Sequence, residues 1–349
     1  MKKFNKGEWS ELYVFFSALA EGKIYAADEN LQKIENTFYV ILKVIRDNVE
    51  YVRNNDDGQI IINTENESYS VSINEFLKEA PRLLENIKAA KGSSFEIPNI
   101  ASFLEKIGIK NIKAKSTSKG DITIQIHDEF TGFKPVIDFS IKSYLGNTPT
   151  LLNASGATVS EFTTSEKLST DIVEKVNSIS GKQKIKDRLL FLNEKNINLE
   201  FSRLADTTFS HNLSMIDFRM PEIFSNLFLC SYFVQGKRVE DVVNYYCKHY
   251  YEDKELVEYK VKDLLVAIAL GMVPKTKWSG LDEANGGYII VKKDGEIVCY
   301  HIYDRNRLKE YLYKHTRFDS PSSSRTGAGI LFSTDTTTML RLTSQIRFI

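Results

Sequence analysis

Asp121 and Lys142 are residues whose types and spacing can do chemistry together. They mark the start and near-end of two alternating runs, DITIQIH at 121–127 and PVIDFSIKS at 135–143, on either side of Glu129-Phe130-Thr131-Gly132. Alternation on both sides of a turn predicts a β-hairpin. A period of two puts Ile122, Ile124 and Ile126 on one face and Asp121, Thr123, Gln125 and His127 on the other. On the second strand Ile137, Phe139 and Ile141 turn to the core, and Asp138, Ser140 and Lys142 line the opposite face. A carboxylate where one strand starts can hold Mg²⁺. An ammonium late on its partner can offset the charge of a pentacovalent phosphate or help deprotonate water. Together they suit metal-assisted attack on a phosphodiester. The same residues also describe an ordinary half-exposed hairpin whose polar face meets solvent.

The elements that must position this hairpin are readable from pattern. Residues 8–21 form an amphipathic helix ending at Gly22, and apolar residues at helical spacing predict a second helix over 28–54. A short hairpin follows at 58–72, then helices at 73–90, interrupted by Pro81, and at 98–108. Residues 143–162 are rich in small and turn-forming types and read as an ordered loop or strand. Helices are expected at 165–178, 183–195, 221–235, 237–251 and 255–270, the last stopping at Gly271. The run at 286–304 is a strong hairpin signal with Asp294-Gly295 as a two-residue turn. A short helix at 305–315, an irregular stretch at 320–329 and two alternating strands at 329–335 and 337–349 close the chain. The predicted class is α+β: a mixed central sheet flanked by helices, with a C-terminal α/β elaboration. The first part, 1–165, holds the N-terminal helices and the hairpin. The second, 166–349, holds a helical segment and a β-rich end.

Composition bounds the function. With 42% hydrophobic residues the chain can bury a substantial core. Its 46 basic and 46 acidic residues cancel, so any electropositive surface must be local. Cys230, Cys247 and Cys299 are odd in number and far apart, which argues against a disulfide framework or a structural zinc and fits a reducing cytoplasm. No apolar run follows the basic N-terminus, and none approaches the length of a membrane span, so a soluble cytoplasmic protein is expected. The histidines have no partner spacing, and no phosphate-binding glycine loop is present.

The hairpin resembles that of PD-(D/E)xK nucleases, which carry one acid on the first strand and a second acid two residues before a lysine on the next. Gly120-Asp121 stands where Pro-Asp would, and Ser140-Ile141-Lys142 where (Asp/Glu)-x-Lys would. The second acid is therefore missing from its usual place. Asp138 on the same face can replace it, and so can a helix glutamate; Glu8 and Glu11 lie at i,i+3 spacing near the N-terminus. Longer segments extend the likeness. NKGEWSELYVFFSALAEGKIYAADENL at 5–31, FSIKSYLGNTPTLLNAS at 139–155, GGYIIVKKDGEIVCYHIYDRNRLKEYL at 286–312, SPSSSR and the closing QIRF resemble the HpaII-type restriction endonuclease family in the same order. The terminal TSQIRFI and the threonine-rich 333–338 are looser matches, which bears on specificity more than on chemistry.

The resemblance implies a Mg²⁺-dependent endonuclease cutting duplex DNA at a short site, CCGG for the family's namesake. It implies Asp121 and the Ile141 carbonyl as metal ligands, Lys142 as catalytic lysine and Ser140 in the place of the second acid. Related nucleases with serine there recruit a helix glutamate, so Glu11 is the expected third ligand, with Glu8 in reserve. Both glutamates also fit helix N-terminal acids that stabilise the macrodipole. Asn153 can orient a metal water or a phosphate, or simply cap a turn. For reading DNA, Ser323, Arg325 and Thr326 combine small hydroxyls and a guanidinium in an irregular loop. Gln345 and Arg347 share a face of the last strand and can read bases or be solvated. Residues 300–349 carry eight Lys and Arg against four Asp and Glu. A palindromic site favours a homodimer, and a cognate DNA methyltransferase is the expected partner enzyme. Two other readings stay open: a DNA-binding protein whose nuclease site has decayed, and a protein-interaction module.

Overall fold

The computed structural model describes residues 2–112, 120–129, 131–321 and 327–349. The chain starts with α1 (Lys6–Glu21), then runs through strands β1 (Lys23–Ala27), β2 (Lys33–Arg46), β3 (Val49–Asn54), β4 (Gln59–Asn63) and β5 (Ser68–Ser72). Helices α2 (Ile73–Ala89) and α3 (Ala101–Lys106) lead to β6 (Ile122–His127) and β7 (Val136–Ser143). Next come β8 (Thr150–Leu152), β9 (Val159–Thr164), α4 (Thr170–Ser178), α5 (Lys184–Glu194) and β10 (Leu199–Leu204). Helices α6 (Thr207–Ser214), α7 (Met220–Cys230), α8 (Val239–Tyr250) and α9 (Lys254–Ala269) follow, then β11 (Gly287–Val291), β12 (Ile297–His301) and α10 (Arg305–His315). The last strands are β13 (Thr316–Asp319), β14 (Leu331–Ser333), β15 (Thr338–Thr343) and β16 (Gln345–Phe348). Contacts gather the chain into two compact units. The first holds residues 1–149, 269–271 and 282–311; the second holds 150–268, 272–281 and 312–349.

Among the described residues, the first unit carries a nine-stranded sheet in the order β1-β12-β11-β7-β6-β2-β3-β4-β5. The sheet is mixed, as expected: β1 pairs with β12 and β11 with β7 in parallel, and the other neighbours are antiparallel. Strand β1 also pairs with the first half of β2, so six strands close into a ring. The hairpin expected at 121–143 forms, with Ile122, Ile124 and Ile126 buried in strict alternation. Beneath the sheet lies α1, whose Trp9, Leu12, Phe15, Phe16 and Leu19 are wholly buried. An Asn5–Glu8 capping box starts this helix at Lys6, two residues before the expected start, and Gly22 in the left-handed region ends it as expected. Phe16 packs edge-on against Phe76 of α2 and Phe103 of α3, and Phe15 against Tyr51 of β3.

Two expectations need correction. Residues 28–54 form a β-hairpin, not a helix. The run TFYVILKVI is apolar at nearly every position, which satisfies either period, and its β-branched and aromatic content favours the pleated form. Asp47 and Asn48, at φ +50° and +66°, make the two-residue turn that pairs Arg46 with Val49. The hairpin at 287–301 does form, but its turn holds three residues. Lys292 N–H donates to the Glu296 carbonyl at 2.8 Å, and Gly295 takes φ +97°.

In the second unit a four-stranded sheet, β10-β9-β15-β14, and a three-stranded sheet, β13-β16-β8, accompany the helices α4 to α9. The strand expected at 329–335 forms as β14 and pairs with β15, but the run expected as one strand at 337–349 divides at Ser344 into β15, which also pairs with β9, and β16, which pairs with β13 and β8. All three cysteines are buried and free. Among the described residues no helix is long and apolar enough to cross a membrane.

Candidate active site

Asp121 stands one residue before β6, where the ladder with β7 runs out. Its N–H still donates to the Phe139 carbonyl at 2.8 Å. Its side chain turns back on β7, where Oδ2 accepts the Ile141 N–H at 2.6 Å and the Ser140 hydroxyl at 3.3 Å. Position 120 must be small for this: a Cβ on Gly120 would lie 2.6 Å from the Asp138 Cβ. A proline in its place could not approach so closely. The N–H and C=O of a strand residue leave the same edge. The Ile141 carbonyl therefore leaves β7 on the Asp121 side, past the end of β6. Ser140 is buried beside Tyr288 of β11, its partner in register. Burial pushes the Tyr288 hydroxyl well above the usual phenol range, with Tyr144 and Asp121 adding to it.

Glu11 reaches this edge from α1. The Ser10 hydroxyl donates to the Lys6 carbonyl at 2.6 Å and lies 2.7 Å from the Ser143 hydroxyl, which ties the helix to β7 next to Lys142. Burial lifts the Glu11 carboxyl to about 7. The Asp121 charge adds to the lift, Arg46 opposes it, Glu8 adds and Lys142 opposes. Charges act this way only across short distances, so Glu11, Asp121 and Lys142 share one neighbourhood. Glu8 is otherwise engaged, since its Oε2 accepts the Asn5 N–H at 2.9 Å as half of the capping box. Asp138 shares the face of Ser140, but its Oδ1 takes the Thr123 hydroxyl.

Arg46 was not singled out from sequence, because the predicted helix over 28–54 hid it. Its guanidinium is buried, donates to the Ile112 and Asn111 carbonyls and lies 5.8 Å from the Phe15 ring, one turn along α1 from Glu11. Burial lowers its pKa, and the charges of Asp47 and Glu11 oppose that. A basic residue closing an apolar run just before an Asp-Asn turn is the signal that would have found it.

Among the described residues no three or more His, Cys, Asp and Glu side chains group as a ready metal cage. Two neighbouring carboxylates and a backbone carbonyl nevertheless fit Mg²⁺, which keeps several of its waters and is held by one or two carboxylates. Asn153 is exposed, just after β8 in the second unit. Gln345 and Arg347 share a face of β16, and Arg347 lies 3.4 Å from Asp319. Ser323, Arg325 and Thr326 fall outside the described residues.

A family model described as HpaII restriction endonuclease matches residues 5–348. The type II restriction enzyme HpaII of Haemophilus parainfluenzae is 41% identical over 361 aligned positions, covering 99% of this chain and 98% of that enzyme. No solved structure matches. The chain belongs to the HpaII family of type II restriction endonucleases.

Proposed function

We propose that this enzyme hydrolyses phosphodiester bonds of double-stranded DNA at a short palindromic site of the CCGG kind, as a Mg²⁺-dependent homodimer paired with a cognate methyltransferase. What supports the chemistry is that Asp121 is bonded to the strand that carries Lys142, and that the charges of Asp121 and Lys142 both act on Glu11; we take the mixed sheet as a restriction-endonuclease-like core. Asp121, Glu11 and the Ile141 carbonyl would hold Mg²⁺, which when bound supplies a Lewis acid at the scissile phosphate and a more acidic water.

The chain's own groups do the rest. The Ile141 N–H and the Ser140 hydroxyl hold the Asp121 carboxylate by one oxygen and leave the other available. Ser140 thus acts as a donor where a second acid usually stands, and Glu11 brings the second negative charge from the helix. Lys142, whose charge acts on Glu11, would take charge from the phosphate oxygens or exchange a proton with the attacking water. Of the three acids that can complete the site, Glu11 is assigned the role; Glu8 is held by the cap and Asp138 by Thr123. The first unit would cleave and the second would supply recognition, with Asn153, Gln345, Arg347 and the 323–326 segment as its candidates.

Lys142→Ala tests the assignment. Plasmid cutting into discrete bands with Mg²⁺ should fall by roughly 10³-fold or more, while binding to the same duplex persists. Undiminished cutting in that variant would sink the reading, and so would a wild-type protein that binds DNA but never cuts it.

A further inference from the structure

The three-stranded sheet β13-β16-β8 buries one face and leaves the other polar. Thr316, Phe318, Ile346 and Phe348 are buried, and Arg317, Asp319, Gln345 and Arg347 lie opposite them. Register sets Arg317 directly against Arg347 and Asp319 against Gln345. Like charges directly opposite one another on neighbouring strands oppose folding. Asp319 lies between them, its Oδ2 3.4 Å from Arg347 and 3.9 Å from Arg317.

A third cation is brought to the same place by the backbone. Arg238 bridges to Arg317, and the Lys237 carbonyl accepts the Phe318 N–H at 2.9 Å. Lys237 itself sits at φ +56°, where a side-chain-bearing residue is disfavoured. Its ammonium lies 4.2 Å from the Tyr232 ring and donates to the Ser320 hydroxyl at 3.3 Å, a neutral partner. Burial lowers its pKa, Asp319 opposes that, and the charges of Arg317 and Lys186 add to the lowering. The charge of Lys186, exposed on α5, is thus felt at Lys237. Asp319 thus lies among Arg317, Arg347 and Lys237 in a chain whose total charge is zero.

We infer that Lys186, Lys237, Arg317 and Arg347 form a platform for the phosphate backbone of duplex DNA. The platform rests on the nuclease reading for its ligand. Arg317 and Arg347 face each other across β13 and β16, and backbone phosphates would place negative charge beside that pair. Phosphate contacts set register and affinity without reading sequence. Arg347, held between Asp319 and this cluster, then grips the backbone and does not read a base edge.

The test is equilibrium binding of the full-length protein, without divalent metal, to two duplexes of equal length, one with CCGG and one without, from about 50 to 200 mM salt. Arg317→Ala should weaken both complexes by the same factor, about 3- to 10-fold, and lower the slope of log affinity against log salt by about one. Arg317→Lys should restore most of the slope. Lys186→Ala, at an exposed helix position, should repeat the Arg317→Ala result without touching the sheet. Lys195→Ala, exposed at the end of the same helix, should change neither quantity. Unchanged affinity and slope in both Arg317→Ala and Lys186→Ala overturns the platform while wild-type binding and cutting leave the nuclease reading intact. A loss confined to the CCGG duplex also overturns it, in favour of base reading. Failure of the wild type to bind either duplex overturns the nuclease reading itself.

Discussion

Glu11 in the first unit and Glu161 in the second are both carboxylates withdrawn from water, and their surroundings push them in opposite directions. Glu161 on β9 is almost wholly buried, yet Arg203 on β10 and Arg341 on β15 flank it with ion pairs of 2.7 Å. Burial alone would raise its pKa, but the two guanidiniums prevail and hold it below the usual carboxylate range. Glu11 has no such partner. Burial and a second carboxylate lift it to about 7, and Arg46 and Lys142 only partly offset them. The first arrangement is self-sufficient and locks three strands together. The second is incomplete by itself and gains if a cation arrives. Strong perturbation alone does not mark a functional site; the sign of the perturbation relative to the partners present is what separates these two.

The largest effect that can break this contrast is on cleavage. Glu11→Gln keeps the size of the side chain and removes its charge, so Mg²⁺-dependent cutting should drop by roughly 10²-fold or more. Near-normal rates would transfer the role to Asp138 or Glu8. Stability should respond the other way round. Glu161→Ala strips two exposed arginines of their buried acceptor and should cost on the order of 1–2 kcal/mol in denaturant unfolding, less than for a fully buried pair. A negligible cost would make that cluster ornamental and weaken the comparison.

The pH profiles sharpen it further. The folded pKa of Glu11, about 7, lies above its unfolded value, so the native state binds the extra proton between about 4.5 and 7. Its contribution is favourable below that window and is lost as pH rises through it. Glu161 has a lowered folded pKa, so its contribution is present above the ordinary carboxylate range and lost as pH falls below it. In chelator, thermal melts of Glu11→Gln should gain on the wild type from pH 5 to 8 and match it near pH 4. Mg²⁺ should narrow the gap at pH 8. Parallel melting curves across that range would contradict the lifted pKa. The smallest effect is expected from Ser140→Ala, since a 3.3 Å hydroxyl contact is weak and Ile141 N–H keeps its hold on Asp121. A loss of less than about tenfold in cleavage rate, with the Mg²⁺ requirement shifted to higher concentration, is the expected result.

Much of the first unit was legible because local rules and tertiary demand agree there. The 121–143 hairpin alternates strictly, and α1 carries both its caps in the letters Asn5, Glu8 and Gly22. The misreading of 28–54 came from a segment with too little polarity to choose a period. Its Asp47-Asn48 turn supplied the answer only through backbone angles that Asn and Asp tolerate better than most residues. In the second unit the alternation at 337–349 was visible, but its division into β15 and β16, in two different sheets, was not. Pairing partners more than a hundred residues away, β9 for β15 and β8 for β16, leave no local trace.

By itself the sequence determined the chemistry available: a carboxylate at a strand start, a lysine on the partner strand, a serine where an acid is usual, and a supply of helix glutamates. It also determined which faces of the strands are apolar, because a period of two is a property of the backbone. Only the tertiary structure decided how the glutamates of α1 are surrounded. The Ser10–Ser143 contact and the burial of Trp9, Leu12 and Phe16 set the rotation of α1 against β7, and in that rotation Glu11 is withdrawn from water under the charges of Asp121 and Lys142 while the helix cap retains Glu8. Spacing along a helix says which residues travel together; the packing of its apolar stripe says where they point.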